Sequence, residues 1–91
     1  METVAALTRL DEAKVTQTCS ILGLDGRTMQ LQLPQYVTIG SPVKVEANDT
    51  MSLGEVSHCR PDGNGYVACV EVLQALHNVT ELTRLARALL R

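Results

Sequence analysis

The sequence has no tryptophan and no phenylalanine, and its only aromatic residues are Tyr36 and Tyr66. A hydrophobic core must therefore be built from Val, Leu, Ile, Met and Ala. Stacking platforms for bases are scarce for the same reason, and binders of single-stranded nucleic acid depend on stacking worth about 1–3 kcal/mol per base. The net charge of −2 also argues against nucleic-acid binding, which needs a basic surface.

Long hydrophobic runs are also missing, since none approaches the roughly 20 residues of a membrane span. The N-terminus, Met-Glu-Thr-Val-Ala-Ala-Leu, carries an acid where a secretory signal would carry lysines. We therefore expect no membrane insertion and a cytoplasmic location. Cys19, Cys59 and Cys69 are odd in number and lack Cys-x-x-Cys spacing, which predicts reduced, partly buried thiols.

Recognisable catalytic and metal-binding motifs are absent from the sequence. His58 and His77 have no Cys, Asp or Glu at metal-ligand spacing, and no nucleophile motif or phosphate-cradling glycine loop is present. We expect no enzymatic activity, no metal and no cofactor. With 91 residues, the chain has room for one compact domain.

Hydrophobic spacing divides the chain into three segments. Val4, Leu7 and Leu10 follow one another at three-residue intervals, a weak helical pattern that predicts an N-terminal arm over residues 1–12. From residue 13 the period changes to two, which predicts strands through residue 76. Residues 77–91 return to a helical period.

Turn signals separate the predicted strands. Asp25-Gly26 predicts a hairpin, Gly40-Ser41-Pro42 a corner and Asn48-Asp49 a turn. Gly54 lies within a strand and predicts a bulge or a tight bend that curls the sheet. Residues 66–73 are almost continuously apolar, which predicts a strand buried on both sides.

The C-terminal segment has the features of an amphipathic helix. Asn78 is a favourable N-cap, and Glu81 stands where a capping-box acid belongs. Its apolar stripe consists of Val79, Leu82, Leu85, Ala86 and Leu89. Arg84, Arg87 and Arg91 share the opposite face, which favours a solvated surface and leaves a basic partner contact as the alternative.

Together these patterns predict a mainly β fold: a small antiparallel barrel of about six strands followed by a C-terminal α-helix. We expect Leu82, Leu85 and Leu89 to pack across a barrel opening or against a neighbouring subunit. We also expect self-association as a homodimer, because the helix stripe and the N-terminal stripe offer more apolar area than one small barrel covers.

The order of strands and glycine corners resembles a PilZ domain, a small bacterial barrel that acts as a receptor for cyclic di-GMP. Thr18-Cys19-Ser20-Ile21-Leu22-Gly23 is similar to the family's Asp/Asn-x-Ser-x-x-Gly motif, with Thr18 in place of the acid or amide. Gly40 matches the family's corner glycine. Tyr66 matches the tyrosine of the closing strand, in which Cys69 and Val72 replace Gly and Phe.

The family's Arg-x-x-x-Arg motif has no counterpart, since Arg9 is the only arginine upstream of Ser20. In the family this pair clamps the phosphates and stacks on the guanines, roles that neutral residues cannot take over. The resemblance therefore implies a degenerate nucleotide site whose remnants are Arg9, Thr18, Ser20, Gly23 and Arg27.

The resemblance implies a bacterial signalling or regulatory domain in a cyclic di-GMP pathway, acting mainly through protein–protein contacts. Two alternatives stay open. The first is a working cyclic di-GMP receptor with a rebuilt clamp, and the second is a small nucleic-acid-binding barrel that uses Arg84, Arg87 and Arg91.

Overall fold

The computed structural model describes residues 3–11 and 15–89, with the backbone alone at Val79. Six strands precede one helix: β1 (Thr3–Arg9), β2 (Thr16–Asp25), β3 (Thr28–Leu33), β4 (Pro42–Ala47), β5 (Thr50–Asp62), β6 (Gly65–His77) and α1 (Val79–Leu89). All neighbouring strands are antiparallel, and they close a barrel in the order β1-β2-β3-β6-β5-β4. The predicted mainly β barrel with a C-terminal helix is confirmed.

The first strand corrects the helical interpretation of the N-terminus. Thr3–Arg9 pairs with β2 on one side and β4 on the other, so this segment closes the barrel. Ala5 and Leu7 are buried while Val4 is exposed, the alternation of a strand. The three-residue spacing was too short to specify a helix, and pairing along both edges decided the conformation. The predicted boundary between arm and barrel, at residues 12 and 13, lies outside the described residues.

The predicted turns at Asp25-Gly26 and Asn48-Asp49 are present, the first with its loop one residue later, because Asp25 is the last residue of β2. Gly26 and Arg27 form the loop between β2 and β3, and Gly26 has a φ of 62° at the first loop position, as a type II′ hairpin turn requires. Asn48 and Asp49 form the loop between β4 and β5. Both hairpins are therefore closed by two residues, which sets their strand registers.

The bulge predicted at Gly54 is confirmed. The register between β5 and β6 shifts between Leu53 and Gly54. A Cβ atom at Gly54 would lie 2.1 Å from the backbone oxygen of Glu71, a separation that van der Waals repulsion forbids. Only glycine allows the two strands to approach this closely.

The core lies inside the barrel and consists of aliphatic side chains with one cysteine and one methionine. Its members are Ala5, Leu7, Cys19, Met29, Leu31, Leu33, Val37, Val43, Val45, Val56, Ala68 and Val70. The prediction that residues 66–73 are buried on both sides is wrong, because Glu71 and Leu73 are exposed. The outer face of β6 is buried near its start, where Val67 is 5% exposed, and is open to solvent at Glu71.

The helix stands away from the barrel. Every described side chain from Thr80 to Leu89 is exposed, and Leu82, Leu85 and Leu89 keep 47%, 52% and 82% of their surface accessible. The predicted packing across the barrel opening is therefore wrong, whereas packing against a neighbouring subunit stays a prediction. With 11 residues, α1 is too short to span a bilayer, and no other helix occurs in the described ranges.

The start of the helix differs from the predicted capping box. The carbonyl of Asn78 accepts the first helical hydrogen bond, from the Leu82 N–H at 3.0 Å. Glu81, however, accepts a hydrogen bond from Arg84. Instead, the carboxylate of Asp49 accepts a bond from the Thr80 N–H, so the cap comes from the β4–β5 turn.

Candidate functional site

Thr18 and Ser20 lie on the outer face of β2, because Cys19 between them points into the core. They line a shallow concavity of about 330 Å³ that opens over β1, β2 and β3. Its lining residues are Val4, Thr18, Cys19, Ser20, Gln32, Leu33, Pro34, Asn64 and Gly65. None of these is charged, so the concavity offers hydroxyl and amide groups but no cation for a phosphate.

Gly23 belongs to a different depression. The pairing of β2 with β3 shifts register between Ile21 and Gly23, and the Gly23 that follows lies opposite Gln30. Gly23 lines a groove together with Asp25 and Cys69 rather than with Thr18 and Ser20. The bulge thus separates the two halves of the Ser-x-x-Gly motif.

The guanidinium of Arg9 is engaged by a neighbouring carboxylate. Its Nε and Nη2 donate to the two carboxylate oxygens of Asp11 at 3.1 and 3.0 Å, a bidentate pair. The hydrogen bonds from Arg9 lower the pKa of Asp11 below its usual value. Asp11 thus takes two of the five N–H donors of Arg9, and its negative charge offsets the cation that a phosphate would need.

Arg27 lies far from Arg9. The backbone N–H of Arg9 donates a hydrogen bond to the carbonyl of Val15, just before β2 begins. Arg27 lies beyond the other end of β2, in the hairpin loop. β2 has 10 residues, so its ends are roughly 30 Å apart at about 3.3 Å per residue. The structure therefore brings Thr18 and Ser20 together and separates Gly23, Arg9 and Arg27 from them.

The predicted basic stripe is exposed on the helix. Arg84 and Arg87 line a shallow concavity with Thr80 and Thr83, and Arg84 pairs with Glu81. Arg91 lies outside the described residues. The two aromatic rings are not on this surface, because Tyr36 and Tyr66 contact each other edge to face with centroids 5.7 Å apart.

An apolar concavity that the sequence did not predict lies at the open end of the barrel, which we call the barrel mouth. It has a volume of about 380 Å³ and is lined by Leu24, Gly26, Arg27, Met29, Thr50, Ser52, Val72, Leu73, Gln74, Ala75 and His77. Leu24 is 64% exposed although it pairs with the buried Met29 and shares its inward face. Alternation from Cys19 and Ile21 predicts Gly23 on the inner face, but the register shift after Ile21 places Leu24 there instead, so no pattern in the sequence indicated the mouth.

The thiols and imidazoles form no reactive constellation. All three cysteines are free, and burial raises the pKa of the Cys19 thiol to about 11. The thiolate needed for nucleophilic attack is therefore rare at neutral pH. Among residues 3–11 and 15–89, no three His, Cys, Asp or Glu side chains are grouped to hold a metal ion.

Comparisons with known proteins identify no relative of this chain. No protein-family model matches the sequence. No curated protein and no solved structure shows significant similarity to it.

Proposed function

We propose that this chain is a bacterial regulatory domain of the PilZ type, linked to cyclic di-GMP pathways and acting in the cytoplasm through protein–protein contacts without catalysis. A six-stranded antiparallel barrel followed by a helix is the architecture that the resemblance implies. The short motifs around Ser20, Gly40 and Tyr66 add to that support. Its nucleotide site is degenerate.

The exposed leucine face of α1 carries the proposal of protein contacts. Leu82, Leu85 and Leu89 lie on one side of the helix and remain about half exposed or more. Full burial of a leucine side chain contributes about 1.5–3 kcal/mol, so covering the rest of this face stabilises a complex by several kcal/mol before association costs. Contiguous apolar surface of this kind marks interaction sites.

The positions of the candidate ligand residues support a degenerate site. Cyclic di-GMP carries two phosphates, and its recognition needs fixed cations close to the base-binding residues. The concavity at Thr18 and Ser20 is uncharged, Arg9 is paired with Asp11, and Arg27 lies at the far end of β2. A rebuilt clamp would have to bring together two arginines that lie near opposite ends of β2.

Isothermal titration of the purified chain with cyclic di-GMP tests the nucleotide part of the proposal. We expect no saturable binding below about 100 µM, which corresponds to a binding free energy weaker than about −5.5 kcal/mol. A low-micromolar dissociation constant that is lost in Arg9→Ala or Arg27→Ala would establish a working receptor instead.

Association assays test the contact part of the proposal. We expect a Leu82→Asp/Leu85→Asp variant to lose contacts, with itself or with a component of a second-messenger pathway, that the wild-type chain makes. The matched control is Thr83→Asp/Ala88→Asp, which adds the same charge away from the leucine face and keeps Thr80, the residue that bonds Asp49. Equal association of the wild-type chain and both variants would show that the leucine face of α1 does not make these contacts.

A further inference from the structure

Two apolar surfaces of the same chain lie at the same end of the barrel. The barrel mouth contains the inward-facing Leu24, Met29, Val72 and Ala75, and the helix begins two residues after β6 ends there. The helix is tethered at this end by the bond between Thr80 and Asp49. It nevertheless leaves the mouth of its own chain open and its own leucines exposed.

Net charge distinguishes between two ways in which these surfaces could be covered, by contact between two helices or by contact between a helix and a second barrel. The chain has 8 basic and 10 acidic residues, and residues 79–91 contain three arginines and one glutamate, a net charge of +2. The first 78 residues therefore have a net charge of −4. Contact between two helices would bring like charges together, whereas contact between a helix and a second barrel joins opposite charges.

An acidic row on the outer surface beside the mouth gives this attraction a location. The strand register places Asp25 opposite Thr28, Thr28 opposite Glu71, and Glu71 opposite Glu55. Thr28 Oγ1 donates to Glu71 Oε2 at 3.2 Å. Directly opposed glutamates on neighbouring strands repel each other, and a cation from a partner relieves that repulsion.

We propose that the partner of the helix is a second copy of this chain: α1 of each copy places Leu82, Leu85 and Leu89 on the barrel mouth of the other. Arg84 and Arg87, on the polar side of the helix, then reach toward the acidic row at the rim. The exchange is reciprocal, so a dimer with one two-fold axis covers both barrel mouths and both helix faces. This inference rests on the proposed function and names the partner of the same helix surface.

Light scattering of the full chain at about 100 µM tests the dimer, because association depends on concentration. We expect twice the 9.9 kDa mass of one chain. Leu85→Asp should raise the dissociation constant at least tenfold, and Leu24→Asp in the mouth should do the same. The control Thr83→Asp, with the same charge change on the other side of α1, should retain the dimer. A monomeric wild-type chain would overturn the inference.

Oxidative cross-linking distinguishes the exchanged arrangement from other dimers. We expect a mixture of Leu24→Cys and Leu85→Cys chains to form a mixed disulfide-linked dimer, with the wild-type chain as the control for its native thiols. Cross-linking of Leu85→Cys chains only with each other would establish a helix–helix dimer and overturn the inference.

The outcomes separate this inference from the proposed function. A monomeric chain whose helix variants lose a different, identified protein would overturn the second-copy inference and leave the proposed function intact. A chain whose helix variants change neither kind of contact would overturn both.

Discussion

Asp49 Oδ1 accepts two hydrogen bonds from Thr80, one from its backbone N–H and one from its hydroxyl, each 2.8 Å long. Thr80 is the second residue of α1, where backbone N–H groups have no partner within the helix. The negative carboxylate also interacts favourably with the positive end of the helix dipole. A turn between two barrel strands thus anchors the helix to the barrel.

Asp49→Ala should unravel the start of the helix while leaving the barrel folded. Loss of a capping side chain costs about 1 kcal/mol, and a helix of 11 residues without packing is marginally stable in water. Circular dichroism at 222 nm should show reduced helicity, with little change in the barrel's thermal midpoint. The control Asp62→Ala removes an exposed acid at the end of β5 and should keep the helix signal.

Gly54→Ala should be strongly destabilising, because the added Cβ would lie 2.1 Å from the Glu71 carbonyl oxygen. Backbone atoms on both strands must move apart, so we expect a loss of about 3 kcal/mol or more in the free energy of unfolding. Urea denaturation measures it. Gly23→Ala is the matched control, since a Cβ there meets no atom within 4 Å. Equal stability of the two variants would contradict the close approach at Gly54.

The stability of the chain should fall at high pH because of Cys19. Burial raises the pKa of this thiol from 9.0 to about 11, so the folded state holds its proton where the unfolded state releases it. This contribution is complete below pH 9 and is lost as the pH rises to about 11, a decrease of about 2–3 kcal/mol. Urea denaturation at a series of pH values should show this decrease, and Cys19→Ala should lack it.

Arg9→Ala should raise the pKa of the Asp11 carboxyl toward its ordinary value of 3.8, because the bidentate hydrogen bonds from Arg9 hold it low. Titration of the carboxyl by nuclear magnetic resonance measures the change. High salt should have a weaker effect of the same sign in the wild-type chain, since it screens the exposed pair. An unchanged Asp11 titration in Arg9→Ala would show that the pair does not form in solution.

Local sequence chemistry was sufficient to predict much of the barrel. Alternating residues such as Met29, Leu31 and Leu33 identified the buried face of a strand. Asp25-Gly26 and Asn48-Asp49 identified turns, because few residue types accept their backbone angles. Gly54 identified the bulge for a related reason, the space that a side chain would need.

Local sequence patterns could not predict the N-terminal strand or the arrangement of the candidate ligand residues. Thr3–Arg9 has a weak pattern of its own and becomes a strand because β2 and β4 offer unpaired edges on both sides. Arg9 and Arg27 are separated because they lie near opposite ends of β2. The spacing of residues in a motif does not reveal the length or register of that strand. The resemblance to a ligand motif therefore identified candidate residues but could not show whether they lie close together.

By itself, the sequence determined a mainly β chain with turns at defined residues and one amphipathic C-terminal helix, since periodicity and turn chemistry act over a few neighbouring residues. Only the tertiary structure decided that the strands close into a ring through β1 and β4, that Asp49 caps the helix, and that the helix leucines stay uncovered. These features depend on contacts between residues distant in sequence, whose geometry is set by strand register and barrel closure.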